Sequence, residues 1–205
     1  IEHLNTSSSK IISIHLGNGC SISAIKDGKS IDHSLGFGPM NGLIMGTRAG
    51  DIDQSVIFYM YNHLDMSISQ INDVLQKESG MKGLTGFSDL REIEAEAEKG
   101  NVECQNALKL ATQRIKKYIG SYTAVLNGLD AIVFTAGIGE NSDTIRKLVC
   151  SNLETFGIDL DLEKNSIRSK KLREIQSKIS KVKILVIPTN EEIEIAKQTY
   201  QLIHS

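Results

Sequence analysis

Two turn dipeptides near the start of the chain constrain its fold more than any other feature. β-rich runs at 10–16, 20–26 and 29–35 are separated by Asn18-Gly19 and Asp27-Gly28. Each dipeptide supplies the two positive φ angles of a type I′ turn. The pattern predicts a three-stranded antiparallel meander.

Glycines then punctuate the chain at Gly36, Gly38, Gly42, Gly46 and Gly50, a density that suits backbone passing close to a ligand or another chain. Helical signals follow. Asp51 is placed to cap a helix with Ile52, Val56, Tyr59, Met60 and Leu64 on one face, and Ser67 with Gln70 forms a capping box for a second helix ending near Gly80. A glycine-containing loop is expected over 80–88. Asp89 and Glu92 open a charged helix that stops at Gly100, and Asn101 opens the longest one, with Leu108, Ile115, Ile119, Tyr122 and Leu126 periodic before Asn127-Gly128. The apolar run 131–135 reads as a buried strand leading through Gly137 and Gly139 into a helix from about Ser142. The charged stretch 159–183 reads as a solvated helix or excursion with no chemistry assigned. A last buried strand at 184–187 is stopped by Pro188, and 189–204 closes the chain as a helix. Meander first, then helices alternating with strands, predicts an α/β fold built on one mixed sheet with helices packed against it.

The length of 205 residues suits one full-sized α/β domain. A net charge of -2 without a basic stripe argues against nucleic acid, and no apolar run approaches a membrane span. Cys20, Cys104 and Cys150 are widely spaced and read as reduced thiols of a cytosolic chain. The first ten residues lack a signal-peptide core and an initiator Met, as expected for the interior of a longer polypeptide.

Neither GxxxxGK[ST] nor GxGxxG is present, so the P-loop and Rossmann phosphate sites lose support. Two glycine turns remain. His15-Leu16-Gly17-Asn18-Gly19 forms a hairpin tip whose N–H groups suit phosphate oxygens, although Asn-Gly also serves simply to turn a hairpin. Ala136-Gly137-Ile138-Gly139-Glu140-Asn141 joins a buried strand to a helix start, suited to a nucleoside, or else to a plain turn capped by Asn141. Arg48 stands between glycines, where a guanidinium could neutralise a transferring phosphoryl group or remain solvated. Asp51 and Asp53 are further oxygen donors for Mg²⁺, Asp51 being more economically a cap. Thr189 and Glu192 have capping-box spacing, which leaves Glu191 as the carboxylate free for Mg²⁺ or merely favourable at a helix start. Taken together these are the parts of a Mg-nucleotide phosphotransferase without a P-loop.

The segments HLGNG (15–19), GFGPMNGLIMGTRAGDID (36–53), GLTGFSDLR (83–91), VFTAGIGEN (133–141) and VIPTNEE (186–192) resemble the acetate kinase family, within the acetate and sugar kinase, Hsp70 and actin superfamily. The resemblance covers about the C-terminal half of the family's length and implies an actin-like, ribonuclease H-like fold. It makes 1–205 the C-terminal nucleotide-binding domain, with 51–128 its mainly helical portion and an N-terminal domain absent. It implies nucleotide contacts from His15, Leu16, Gly17, Asn18, Gly19, Asp89, Leu90, Arg91, Gly137, Ile138, Gly139, Glu140 and Asn141. Arg48 and His15 would be catalytic, Pro39 would line the acyl pocket and Glu191 would bind Mg²⁺. The implied reaction is reversible phosphoryl transfer between ATP and acetate, giving acetyl phosphate and ADP, in a cytoplasmic homodimer. Gly38, Asn41 and Gln54 depart from the family pattern near the acyl pocket, which keeps propionate kinase open beside acetate kinase. An actin-like or Hsp70-like ATPase switch is the reading from another class. The chain by itself is expected to bind nucleotide weakly and not to turn over.

Overall fold

A computed structural model describes residues 8–204, the side chain of Glu191 excepted. Its centre is one six-stranded mixed sheet of order β3-β2-β1-β4-β6-β5. The meander is β1 (Lys10–Leu16), β2 (Cys20–Lys26) and β3 (Lys29–His33). β4 (Ala131–Thr135) adds in parallel to β1, and β6 (Lys183–Val186) in parallel to β4. The two-residue β5 (Arg173–Glu174) closes the edge antiparallel to β6. The mixed sheet matches the expectation from sequence.

The two hairpin turns differ. Asp27 and Gly28 both take positive φ, as a type I′ turn requires. At the other hairpin Leu16 pairs with Cys20, so three residues form the loop, and neither Asn18 nor Gly19 has positive φ. This corrects the type I′ expectation there. The tip is instead held from outside, with the Gly46 N–H donating to the Asn18 carbonyl at 3.2 Å.

Alternation along β1 and β2 buries Ile12, Ile14, Leu16, Cys20, Ile22 and Ala24 on one face. Helix α5 (Val102–Leu126) covers that face with Leu108, Ile115, Ile119, Tyr122 and Leu126. Each such side chain contributes about 1.5–3 kcal/mol through burial. Asn101 caps its start through the Cys104 N–H, and Asn127 ends it in the left-handed conformation.

Before α5 the chain forms α1 (Ser55–His63), α2 (Ile68–Asp73) with a π-helical continuation (Val74–Glu78), α3 (Gly80–Thr85) and α4 (Leu90–Glu98). The Ser67–Gln70 capping box is present. Two expectations fail here. The stretch 80–88 is not all loop, because Met81 and Lys82 donate their N–H groups to the carbonyls of Met45 and Gly46 and so seed α3. Asp51 does not cap α1, which begins after Gln54 without a side-chain cap. Its carboxylate instead accepts from the Gly42 N–H (2.7 Å) and the Tyr118 hydroxyl (2.8 Å).

After β4 come α6 (Ala136–Asn141), α7 (Asp143–Cys150), a 3₁₀ turn (Glu154–Phe156), α8 (Leu162–Ser166) and, after β6, α9 (Glu191–His204). The charged stretch 159–183 is an excursion, but it buries Asn165, Ile175 and Val182 and supplies the edge strand. The Thr189 cap expected for the last helix is also corrected, since Asn190 Oδ1 accepts from the Ile193 N–H while Thr189 bonds the Glu140 carboxylate.

The three cysteines are free and buried, and burial pushes the Cys20 thiol up to about 11 and Cys150 up to about 12. Such thiols are unreactive. Among the described residues no helix is long and apolar enough to cross a membrane.

Candidate functional site

Strands β1, β4 and β6 run parallel, so their carboxyl ends lie at one edge of the sheet, where ligands of open α/β sheets bind. A cleft of about 690 Å³ opens at the segments that leave β1 and β4. Gly17 and Asn18 form one part of its lining, Ser88, Asp89, Leu90, Arg91 and Glu94 another, and Gly137, Ile138, Asn141 and Ser142 a third, with Arg168 at the side. Three of the sequence-derived segments therefore meet in one cleft.

A second cavity of about 290 Å³ lies across the hairpin tip and is lined by His15, Gly17, Asn18, Gly19, Met45 and Arg48 among others. Gly17 and Asn18 belong to both linings, so the tip divides the two spaces. The Arg48 guanidinium donates to the Pro39 carbonyl at 3.2 Å and contacts Met45 Sδ at 3.7 Å. It forms no ion pair among the described residues, so its charge is available to an anion.

Arg48 is placed by a pinned loop. Gly42 and Asp51 close it, with the Asp51 N–H on the Gly42 carbonyl at 3.0 Å. From α5, Arg114 donates to the carbonyls of Gly42 (3.1 Å) and Asp51 (3.0 Å), and Tyr118 holds the Asp51 carboxylate. Burial first, then that hydrogen bond, pushes the Tyr118 hydroxyl up to about 12. On its other side the loop bonds the π-helical turn, Thr47 Oγ1 to Gln76 O at 2.9 Å and Ala49 N to Leu75 O at 3.1 Å. Gly46 approaches the hairpin so closely that a Cβ there would collide with Asn18 Oδ1.

On the α4 wall, Arg91 grips Asp89 through Nε (3.0 Å) and Nη2 (2.5 Å), and these bonds hold the Asp89 carboxyl down to about 2. Glu94 accepts from the Ser142 hydroxyl at 2.5 Å and so bridges α4 to the start of α7, while burial raises its carboxyl above the usual range. Ser142 also caps α7 through the Ile145 N–H, a role the sequence reading offered to Asn141, whose amide instead donates to the Gly137 carbonyl.

The glycine segment after β4 is itself helical, not an open turn. Ala136 takes φ +64 as the strand ends, and Gly137 and Gly139 then lie inside α6. Glycines disfavour helix by about 1 kcal/mol each, but tertiary contacts override that here. Gly139 is buried against the Phe134 backbone, and its carbonyl accepts from Arg146 at 2.9 Å. Only Gly137, Ile138 and Asn141 of the segment line the cleft. Glu140 turns away, its carboxylate accepting from the Thr189 N–H (3.0 Å) and hydroxyl (3.2 Å). Leu16 points into the core.

For Mg²⁺, Asp51 is unsuited because its oxygens are already taken, and Asp53 accepts from the Ser55 N–H at 2.9 Å. No cluster of three potential ligands occurs among the described residues. Magnesium bound with nucleotide needs only one or two carboxylates. Glu191 is the sequence-derived candidate; its side chain lies outside what is described, and Thr189, two residues before it, is bonded to Glu140 of α6.

Sequence reading missed Ser88, Glu94, Ser142 and Arg168. Glu94 carried a signal, since it lies three residues after Arg91 and so on the same helix face. Arg168 sits in the charged stretch to which no chemistry had been assigned.

Residues 1–197 match the model of the acetokinase family. The chain is 64% identical over 197 residues to an acetate kinase of Flavobacterium johnsoniae, covering 96% of this chain and 50% of that one. It superposes on the crystal structure of Porphyromonas gingivalis acetate kinase with TM-score 0.91 at 42% identity, covering 96% of this chain and 50% of that one. A propionate kinase structure from Francisella tularensis gives TM-score 0.89 at 44% identity, covering 95% and 50%. The chain spans about half the length of the relatives it matches.

Proposed function

The chain belongs to the acetokinase family, and from that premise we propose that it is the nucleotide-holding half of an acetate kinase. Its mixed sheet is the actin-like fold shared with the acetate kinase structures. Residues 1–205 form one nucleotide-binding domain, with 51–128 its helical portion. The reaction is reversible, Mg-dependent transfer of phosphoryl from ATP to acetate. An acetate oxygen bonds to the γ-phosphorus as the bond to the bridging oxygen breaks, giving acetyl phosphate and ADP.

The observation that carries this reading is the paired arrangement of spaces, the large cleft on one side of Gly17-Asn18 and the Arg48 cavity on the other. In it, Gly137, Ile138 and Asn141 border the nucleoside, with Asp89, Leu90 and Arg91 opposite. The backbone at Gly17, Asn18 and Gly19 lies where phosphates must pass from one space to the other. Arg48, steadied by the Pro39 carbonyl, neutralises charge growing on the transferring group, and His15 at the end of β1 donates to it. Pro39 borders the acyl group. Gly139 and Glu140 act from behind, and Leu16 only through its backbone. Magnesium, held by Glu191, would supply further charge neutralisation across the phosphates.

A propionate kinase is the second reading. It is favoured by the F. tularensis neighbour and by Gly38, Asn41 and Gln54, which depart from the family pattern. The α1–α2 surface, with Phe58, Tyr59, Tyr61, Leu64 and Ile68 uncovered, is the proposed homodimer face, and a cytoplasmic enzyme fits the unreactive thiols.

The test has two stages. Calorimetry with MgADP on the 205-residue chain is expected to show weak binding. Joined to the first half of the F. johnsoniae enzyme, the chain should form acetyl hydroxamate from acetate, ATP and hydroxylamine, with propionate compared in parallel. ATP hydrolysis without hydroxamate from either acid would instead favour the ATPase switch.

A further inference from the structure

Arg146 is 1% exposed, and no carboxylate pairs with it among the described residues. Its guanidinium is satisfied by neutral oxygens alone. Nε donates to Asn165 Oδ1 (2.7 Å), Nη2 to the Asn165 carbonyl (2.8 Å) and Nη1 to the Gly139 carbonyl (2.9 Å). Asn165 is likewise buried and donates its own amide to the Asp143 carbonyl at 2.9 Å. A second guanidinium, Arg173, donates through Nη2 to the Glu140 carbonyl at 2.8 Å and through Nη1 to the Ile167 carbonyl. Burial and the nearby Arg173 charge bring the Arg146 guanidinium down to about 10.

The two carbonyls so engaged belong to the end of α6, where a helix has no internal partners for its last C=O groups. A six-residue helix with two glycines cannot hold itself together. Cations at a helix carboxyl end are favourable, and here they hold Gly139 and Glu140, which do not line the cleft, while Gly137, Ile138 and Asn141 of the same helix do. Asn165 and Arg173 both come from the charged excursion.

We propose that Arg146, seated by Asn165, is a positioning residue that presets α6 for the nucleoside, and that Asn165 and Arg173 of the excursion serve as the buttress of that helix. This rests on the nucleotide-holding reading above. A preset segment loses less freedom on binding than a loose one, so the contribution falls on the nucleoside, while the phosphates meet the hairpin tip.

The test compares the 205-residue chain with Arg146→Lys and Asn165→Ala, measuring Kd for MgADP and for magnesium tripolyphosphate by NMR titration, together with Tm. Arg146→Lys should weaken MgADP about tenfold, and Asn165→Ala should act in the same direction. Tripolyphosphate affinity should stay within about twofold. If Arg146→Lys does not fold, Asn165→Ala decides. Unchanged MgADP affinity in a folded variant, or equal losses for both ligands, would overturn the proposal. So would unfolding of both variants, which would make the pair part of the core alone. Failure of the unaltered chain to bind MgADP would instead remove the functional reading on which the proposal stands.

Discussion

A single methyl group at position 46 probes the site at the finest grain. Gly46→Ala puts a Cβ onto Asn18 Oδ1 and within 3.3 Å of the Ser88 carbonyl. The strain should lower stability by about 1 kcal/mol, while displacement of Asn18 weakens MgADP about tenfold. In an Asn18→Ala background the same change should add less than a twofold loss; additive losses in such a double-mutant cycle would show that the two residues act separately. Arg48 makes a complementary prediction. In the joined enzyme, Arg48→Ala should depress kcat by about 10³ and leave the MgADP Kd within about twofold, because the residue lines the smaller cavity and not the cleft proposed for the nucleotide. The glycine segments and Arg48 were legible in the sequence because glycine clusters and a cation between them are local signals. Arg146 was not, since its partners lie at Gly139 and Asn165, in different elements.

Elements were readable where their ends carry their own chemistry. The Asp27-Gly28 turn, the Ser67–Gln70 box and the Asn101 and Asn127 ends of α5 all use neighbouring residues. Asp51 and Thr189 misled because a capping side chain can be claimed by a distant partner, here Tyr118 and Glu140. The tie between α5 and the Arg48 loop has a measurable signature. Tyr118 holds its proton to about 12 in the folded chain against about 10 when unfolded. A raised pKa means that the folded state binds the extra proton, so the contribution is complete below pH 10 and lost as pH rises through 12. Alkaline unfolding should steepen in that window. Asp51→Asn removes the charge facing the hydroxyl, so absorbance titration near 295 nm should show Tyr118 ionising at lower pH than in the parent. An unmoved midpoint would mean that burial alone sets it.

For the molecule as a whole, α5 buries eight of its residues, whereas α1 buries none despite Val56, Phe58, Tyr59 and Tyr61. The apolar spacing that predicted a helix with one apolar face was correct about the helix. It could not say whether this chain or another one supplies the cover. Phe58→Asp combined with Tyr61→Asp should convert the proposed homodimer to a monomer in sedimentation at micromolar concentration, with circular dichroism unchanged. A persisting dimer would move the interface elsewhere.

The three-residue loop between β1 and β2 stands as a party wall between two rooms. A change that displaces the wall itself is therefore felt on both sides, whereas one that only faces it, as Arg48 does, is not. In the proposed enzyme, a change at His15 that pushes this loop aside to admit a bulkier acid would press it into the proposed nucleotide cleft, so a broadened diet of acids and a loosened grip on ATP should arrive together.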